Sequence, residues 1–263
     1  MGSDLVIPSY QNGFAPRDGP PEYPDLRTEL ALNWHGPLGP TGLAAKDTSG
    51  YGNDGTLHDM DPATDWVMTP HGWGPDFDGS DDNISFPCPD IHARGTIWIL
   101  CRANTASQPA QFIVSHRDGG SDTRLGIWHG TTTYRITYGA TALISTGVTI
   151  STTGYQSLAL EWSSAAIEFF ADGVRRYTGA LPAWTGNWNN LLWLAEYAGG
   201  GSNWHGGIIA CAGWDRLLKL NEIQLLYRDP HAIVRPKQRV FFASAGAPPS
   251  FAGSNLILGG GVL

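Results

Sequence analysis

The sequence predicts an all-β protein, an antiparallel two-sheet sandwich with one short C-terminal helix and extended terminal arms. Three observations predict this class. Many short segments alternate apolar and polar side chains with the period of a strand, Gly-rich turns separate these segments, and residues 155–179 have the pattern of a hairpin. The 263 residues include 34 Gly and 11 Trp but few charged groups, which fits one large domain of short strands around an aromatic core.

The hairpin at residues 155–179 is the clearest element. Leu158, Leu160 and Trp162 alternate with smaller or charged residues, which places the large apolar groups on one face of a strand. After a two-serine break the apolar pattern resumes and reaches an Asp-Gly pair at 172–173. Asp-Gly tolerates the positive φ angles of a two-residue hairpin turn. This segment therefore predicts strands with one face in a core.

Further strands are expected on both sides of the hairpin, bounded by turn residues. We predict them at residues 83–86, 96–102, 111–116, 124–128, 133–138, 191–197 and 206–214. Segment 96–102 is apolar on both faces, so it should be central and covered on both sides. A short helix should follow, with Asn221 as its N-cap, Gln224 completing a capping box, and Asp229 before Pro230 ending it.

Two motifs carry a family resemblance. The first comprises Asp47, Ser49, Gly50, Gly52, Asn53, Gly55, Thr56, Leu57, Trp66, Phe77, Asp78, Gly79 and Asp82. It resembles the opening of laminin-G-like, concanavalin A-like jelly-roll domains. The second comprises Glu222, Ile223, Leu226, Tyr227, Asp229, Pro230 and Pro236, and it is similar to the close of jelly-roll proteins in phage and prophage sequences. The resemblance implies a jelly-roll domain over residues 31–242, of the type found in phage virion proteins.

Two terminal segments lie outside that domain. Residues 1–30 are Pro-rich and form the predicted N-terminal arm, whereas residues 243–263 form a tail without any charged residue. Two interpretations of the arm stay open, a leader without fixed structure or a segment ordered along a neighbouring subunit. We expect the tail to be covered by its own domain or by another subunit, because exposed tails are normally polar.

The preferred function is a non-enzymatic structural protein of a phage virion, as capsid decoration or as a tail or fibre component. The arms would contact other virion subunits, and a homo-oligomer is expected. The first ten residues lack the basic and apolar regions of a secretory signal, so we expect synthesis in a host cytoplasm and a location on the virion. The net charge of −8 argues against nucleic acid as a partner. No segment is apolar over the length that membrane insertion requires.

The alternative function is a lectin-like adhesion module, on or off a virion, that binds carbohydrate such as a host-surface glycan. Trp184, Trp188, Trp193 and Trp204 cluster in a Gly- and Asn-rich region. The candidate ligand-binding residues are Trp184, Asn187, Trp188, Asn203 and Trp204, because an exposed indole can stack on a sugar ring while amides hold its hydroxyls. Against this, tryptophans in such a fold mostly fill the core.

Catalysis is not expected. No nucleophile elbow, zinc-binding helix motif or phosphate loop is present. Glu161 and Glu168 lie on separate predicted strands with the two-serine break between them, unlike the alternating carboxylates of jelly-roll glycosidases. We therefore predict that the protein is not an enzyme.

Calcium is the one cofactor that the sequence allows. Asp118 and Asp122 offer oxygen ligands in a Gly-rich loop, which is a setting that Ca²⁺ accepts. A second set of carboxylates, in the turn at residues 78–82, has the same character. Asp is also an ordinary turn residue, so both groups can be explained without a metal.

Overall fold

The computed structural model describes residues 23–87, 94–106, 111–117, 123–138, 142–180, 191–196 and 203–235. In chain order the strands are β1 (Leu30–His35), β2 (Pro40–Thr41), β3 (Ala44–Ala45), β4 (Gly55–His58), β5 (Trp66–Thr69), β6 (Gly72–Asp78), β7 (Asn83–Pro87), β8 (Gly95–Ala103), β9 (Gln111–Arg117), β10 (Thr123–His129), β11 (Thr133–Tyr138), β12 (Ala142–Thr149), β13 (Gln156–Trp162), β14 (Ala166–Ala171), β15 (Val174–Ala180), β16 (Leu191–Leu194) and β17 (His205–Trp214), followed by helix α1 (Leu220–Arg228). None of the described helices is long and apolar enough to cross a membrane.

The strands form two sheets. The first sheet has eight strands in the order β15-β14-β13-β8-β17-β6-β5, with β1 also paired to β17, and the second has nine in the order β12-β11-β10-β9-β16-β7-β4-β3-β2. Neighbouring strands are antiparallel throughout the described residues. The predicted antiparallel sandwich of jelly-roll type is confirmed.

The main core lies between the two sheets and follows from strand alternation. The second sheet contributes a row of directly paired residues, Leu57, Ile84, Leu194, Val114, Ile127 and Ile136. The first sheet contributes Ile97, Ile99, Leu158, Leu160, Trp162 and Phe169. All twelve side chains are buried in one cluster. Cross-strand partners share a face, and successive residues of a strand point to opposite faces. The residues next to this row in sequence therefore point away from the core.

The hairpin predicted at residues 155–179 is confirmed as β13, β14 and β15. Leu160 pairs with Phe169 across β13 and β14, and the next turn places Asp172 at φ 53° and Gly173 at φ 75°, as an Asp-Gly hairpin turn requires. Strand β8 lies between β13 and β17. Its outward residue Trp98 is buried beneath a second layer, so β8 is covered on both faces as predicted.

The second layer consists of residues 23–29 and α1, which pack on the outer face of the first sheet. Leu26 and Ile223 belong to this second buried cluster together with Trp98 and Trp214. The indole N–H of Trp214 donates to the carbonyl oxygen of Leu26 at 2.7 Å. Residues 23–30 of the predicted arm therefore pack on the domain. The remainder of that arm, residues 1–22, and the predicted tail lie outside the described residues.

The loop motif after β3 acts as a hydrogen-bond centre. The Asp47 carboxylate accepts the backbone N–H groups of Asn33, Ser49 and Asn53 at 2.8–3.0 Å, and the Asn53 side chain donates to the carbonyl oxygen of Ala31 at 2.9 Å. These bonds fix the loop against β1. They explain the residue types at these positions without any ligand.

Helix α1 exists as predicted but begins differently. Lys219 is the N-cap, and its backbone N–H donates to Glu222 at 2.7 Å. Asn221 and Gln224 were the wrong capping pair, because the helix begins two residues earlier and the acidic residue at its third position is Glu222. Arg216 holds that carboxylate through two hydrogen bonds of 2.7 and 2.8 Å, which fixes the start of the helix.

Candidate functional site

A polar row crosses the outer face of the second sheet, immediately beside the apolar core row. Its members are paired directly from strand to strand: Thr56, Ser85, Trp193, Ser115, Gly126 and Thr137. Because opposite residues share a face, all six lie on the side away from the core. Trp193 is the one large aromatic residue in a row of hydroxyl-bearing and small residues.

Trp193 is half-buried and lies beside His58, with ring centroids 5.5 Å apart and ring planes tilted by 31°. The imidazole Nε2 of His58 is 2.8 Å from the Ser85 hydroxyl. Thr56, the next residue along the row, is exposed. The accessible part of this surface thus combines an indole, an imidazole and the side chain of Thr56 within one patch, while Ser85 is buried.

The row becomes buried on the other side of Trp193. Ser115 is fully buried and its hydroxyl donates to the carbonyl oxygen of Glu196 at 2.8 Å, and Thr137 is buried too. Beyond them Trp128 stacks on Phe112 with ring centroids 5.7 Å apart. We define the Trp193 patch as Trp193, His58 and Thr56, which are at least partly accessible, together with the buried Ser85 whose hydroxyl holds His58.

The Trp193 patch has the chemistry of a sugar-binding surface. An indole face offers a flat apolar area, whereas hydroxyl and imidazole groups both donate and accept hydrogen bonds. A pyranose presents a face of C–H groups bordered by hydroxyls, so both parts of the patch have a counterpart on it. The patch contains no carboxylate that could act as a general acid or base.

Two of the predicted sugar-binding residues lie in the interior of the protein and not on its surface. Asn203 and Trp204 are buried, and the Trp204 ring packs edge-on against His129 with centroids 5.9 Å apart. An enclosed indole cannot stack on a ligand, so Trp204 is a core residue. Trp184, Asn187 and Trp188 lie outside the described residues, and their prediction is not tested.

Trp193 belongs to the predicted tryptophan cluster but is not among the predicted ligand-binding residues. The signal that identifies it is strand alternation. Leu192 and Leu194 on either side of it are both core residues, so period-two alternation turns Trp193 outward. Ser85 and Ser115, its partners on the neighbouring strands, are small and leave the indole partly accessible.

The metal prediction has one counterpart in the described part of the chain. Asp78, Asp81 and Asp82 bring carboxylate oxygens within 4.8 Å of one another in the turn between β6 and β7. Burial raises the pKa of Asp82 to about 6, the neighbouring carboxylates add to the rise, and the Asp78 backbone N–H opposes it. Three carboxylates in a turn suit Ca²⁺. Asp118 and Asp122 lie outside the described residues.

Glu161 and Glu168 lie on separate strands with the two-serine break between them, as predicted. They are direct cross-strand partners in β13 and β14, because the two-serine break is the turn that folds one strand back on the other. Burial raises the pKa of Glu161 to about 6. Glu168 is half-buried and accepts a hydrogen bond from Arg175 at 2.9 Å.

Similarity to known proteins agrees with this architecture. Solved structures similar in fold include Trypanosoma rangeli sialidase in complex with sialic acid, with TM-score 0.61 and 13% identity over 79% of this chain and 34% of that one. Domain 4 of AbnA, a GH43 extracellular arabinanase from Geobacillus stearothermophilus, in complex with arabinotriose, has TM-score 0.57 and 16% identity over 76% of this chain and 98% of that one. Botulinum neurotoxin type C has TM-score 0.58 and 11% identity over 78% and 52%.

These identities show the fold alone, and the chain spans about a third of the sialidase. Among curated proteins, none matches the chain in sequence. Residues 78–224, more than half of the chain, match the family model described as the concanavalin A-like lectin/glucanases superfamily. The predicted concanavalin A-like, laminin-G-like resemblance is thereby confirmed, and the chain belongs to this superfamily.

Proposed function

We propose that this protein is a non-catalytic, lectin-like module that binds a glycan at the Trp193 patch. The observation that carries the proposal is the position of Trp193. A half-buried indole stands in a row of small and hydroxyl-bearing residues on the outer face of a sheet, beside an imidazole at 5.5 Å. A large aromatic side chain that serves only packing would be expected on the core side of this strand.

The chemistry of the patch supports an uncharged, hydroxyl-rich ligand with one apolar face. Stacking on Trp193 would cover the apolar face of a sugar ring, while the His58 imidazole and the Thr56 hydroxyl would meet its hydroxyl groups. Relatives in fold support the same class of ligand. The AbnA domain is described in complex with arabinotriose, and cell entry of botulinum neurotoxin type C depends on interaction with two ganglioside molecules.

The proposal is tested by screening the full-length protein on a glycan array and measuring the best ligand by calorimetry. In Trp193→Ala we expect affinity to fall about fivefold or more, because an aromatic contact is worth about 1 kcal/mol or more. Tyr227→Ala is the matched control, since Tyr227 is exposed on α1 on the opposite side of the sandwich. Equal binding by the Trp193 variant and the wild type would refute the patch.

A place on a phage virion is a second proposal, and it is compatible with glycan binding. The feature that favours it is the tail at residues 243–263, which contains no charged residue and would be expected to be covered. Light scattering of the full chain and of a variant that lacks residues 243–263 tests this role. We expect an oligomer and a monomer respectively. Monomers in both cases would remove the assembly role of the tail.

A further inference from the structure

A second cleft lies on the opposite side of the sandwich, between the outer face of the first sheet and the start of α1. Its volume is about 460 Å³, which is within the range of small-molecule sites. Glu161 and Glu168 line it together with Phe170, Val174, Leu218 and Leu220. The cleft therefore joins two carboxylates to an apolar wall.

Glu161 is the key group of this cleft. Its side chain extends from β13, on the outer face of the first sheet, and only 5% of the residue is exposed. Its Oε1 accepts the hydroxyl of Thr96 at 3.0 Å and the backbone N–H of Leu218 at 2.7 Å. Oε2 accepts no hydrogen bond from the described residues. The carboxylate is thus held in place by one oxygen, while the residue lines the cleft.

The charges around the cleft are paired except at Glu161. Arg175 binds Glu168 at 2.9 Å, and Arg216 binds Glu222 at 2.7 Å. In the part of the chain that the structure describes, no basic side chain forms an ion pair with Glu161. A buried carboxylate without a cation is costly, so the cleft has one negative charge available for an incoming cation.

The apolar wall restricts which cation can use this charge. Phe170 is buried, whereas Val174 and Leu220 are 48% and 54% exposed although both are large apolar residues. A small hard metal ion would need several oxygen ligands, and one of the two carboxylates is already paired with Arg175. A cation with an apolar stem would satisfy both Glu161 and the exposed apolar side chains.

We propose that this cleft binds an organic cation, a primary ammonium or guanidinium group on an aliphatic stem, with the charge against Glu161 and the stem along Phe170 and Leu220. The same chemistry is offered by a small alkylamine and by a Lys or Arg side chain of a partner polypeptide. This site is independent of the Trp193 patch.

The ionisation of Glu161 gives the site a defined pH dependence. Burial raises the pKa of Glu161 to about 6, the carboxylates of Glu168 and Glu222 add to the rise, and the bonds from Thr96 and Leu218 oppose it. The carboxylate is therefore ionised at pH 7.5 and about nine-tenths protonated at pH 5. Binding of a cation should be about tenfold weaker at pH 5.

The test titrates the full-length protein with n-butylammonium and n-butylguanidinium, and with n-butanol as the neutral control. Binding is measured from the chemical shift of the Leu218 amide in NMR spectra. We expect saturable shifts with both cations, little effect of butanol, and at least tenfold weaker binding in Glu161→Gln. Glutamine retains an acceptor for Leu218. Glu196→Gln, just after β16 of the second sheet, is the matched control and should bind as the wild type does.

A blocked Leu-Lys-Leu peptide and the Leu220→Ser variant distinguish the two possible ligands, a small alkylamine and the Lys or Arg side chain of a partner polypeptide. A peptide that binds at least tenfold more tightly than butylammonium, with the gain lost in Leu220→Ser, identifies a partner polypeptide. Equal binding of the peptide and of butylammonium identifies a small amine as the ligand. The proposal is overturned if butanol binds as well as butylammonium, if Glu161→Gln binds unchanged, or if wild-type binding does not weaken between pH 7.5 and pH 5.

Discussion

The carboxyl group of Glu161 should make the stability of this protein depend on pH in a way that one substitution removes. Burial raises its pKa from 4.5 to about 6. Between these two values the folded protein retains a proton that the unfolded chain has lost, so the free energy of unfolding falls as the pH rises through this window. A difference of about 1.5 pH units corresponds to roughly 2 kcal/mol.

Glu161→Gln should abolish that loss because glutamine is neutral at every pH and its oxygen can still accept from Thr96 and Leu218. We expect the variant and the wild type to have similar free energies of unfolding near pH 4. At pH 7.5 the variant should be more stable than the wild type by up to about 2 kcal/mol. Urea unfolding at pH 4, 5, 6 and 7.5 measures this difference directly, and the other titrating groups cancel in it.

Glu29→Gln is the control for the loss of a negative charge at an exposed position, since the Glu29 side chain is 46% exposed. It should not reproduce the gain at pH 7.5. The reasoning would be refuted if the difference between Glu161→Gln and the wild type were the same at pH 4 and at pH 7.5, because burial of an ionisable carboxyl would then not limit stability.

Two further predictions concern the core and the acidic turn. Trp162→Ala should lower the free energy of unfolding by about 3–5 kcal/mol in urea, because Trp162 is 1% exposed and its removal leaves a cavity. Gly154→Ala, in an open loop position, should change it by less than about 0.5 kcal/mol, and a similar value for Trp162→Ala would contradict the core assignment. For the acidic turn, Ca²⁺ should raise the melting temperature of the wild type by a few degrees at saturating concentration and leave Asp82→Asn unchanged. An equal rise in both proteins would exclude Asp82 as a ligand and contradict a calcium site formed by all three carboxylates.

The sheets were predictable from the sequence where the alternation is regular. Leu158, Leu160 and Trp162 all lie in the core, and the Asp-Gly turn forms where expected. Strand β12 was not predicted, because its described residues from Ile144 onwards alternate intermediate and exposed positions with few buried ones. An edge strand with little burial has a weak hydrophobic pattern.

The candidate site was harder to predict because it depends on pairing between distant strands. Trp193 stands between core leucines, and the pleat of β16 turns it outward, whereas Trp204, in a Gly- and Asn-rich segment that favours exposure, packs on His129 in the core. The pairing of Glu161 with Glu168 could have been predicted from the sequence. The two residues are equidistant from the centre of the two-serine turn, and residues placed symmetrically about a hairpin turn face each other. Neither the Trp193 patch nor the cleft at Glu161 is visible from residue types alone.

The packing of residues 23–29 against the C-terminal segment also determines how the domain would be oriented if its two ends attached it to a larger structure. The Arg27 guanidinium donates to the carbonyl oxygen of Ile233 at 3.3 Å, and that of Arg216 to the carbonyl oxygen of Thr28 at 2.9 Å. Both ends of the described domain therefore leave from one side, over the first sheet, whereas Trp193 lies on the far face of the second. Any larger polypeptide or particle that holds the domain by these ends would orient the Trp193 patch away from the point of attachment, so that attachment and the proposed glycan binding would use opposite faces of the same sandwich.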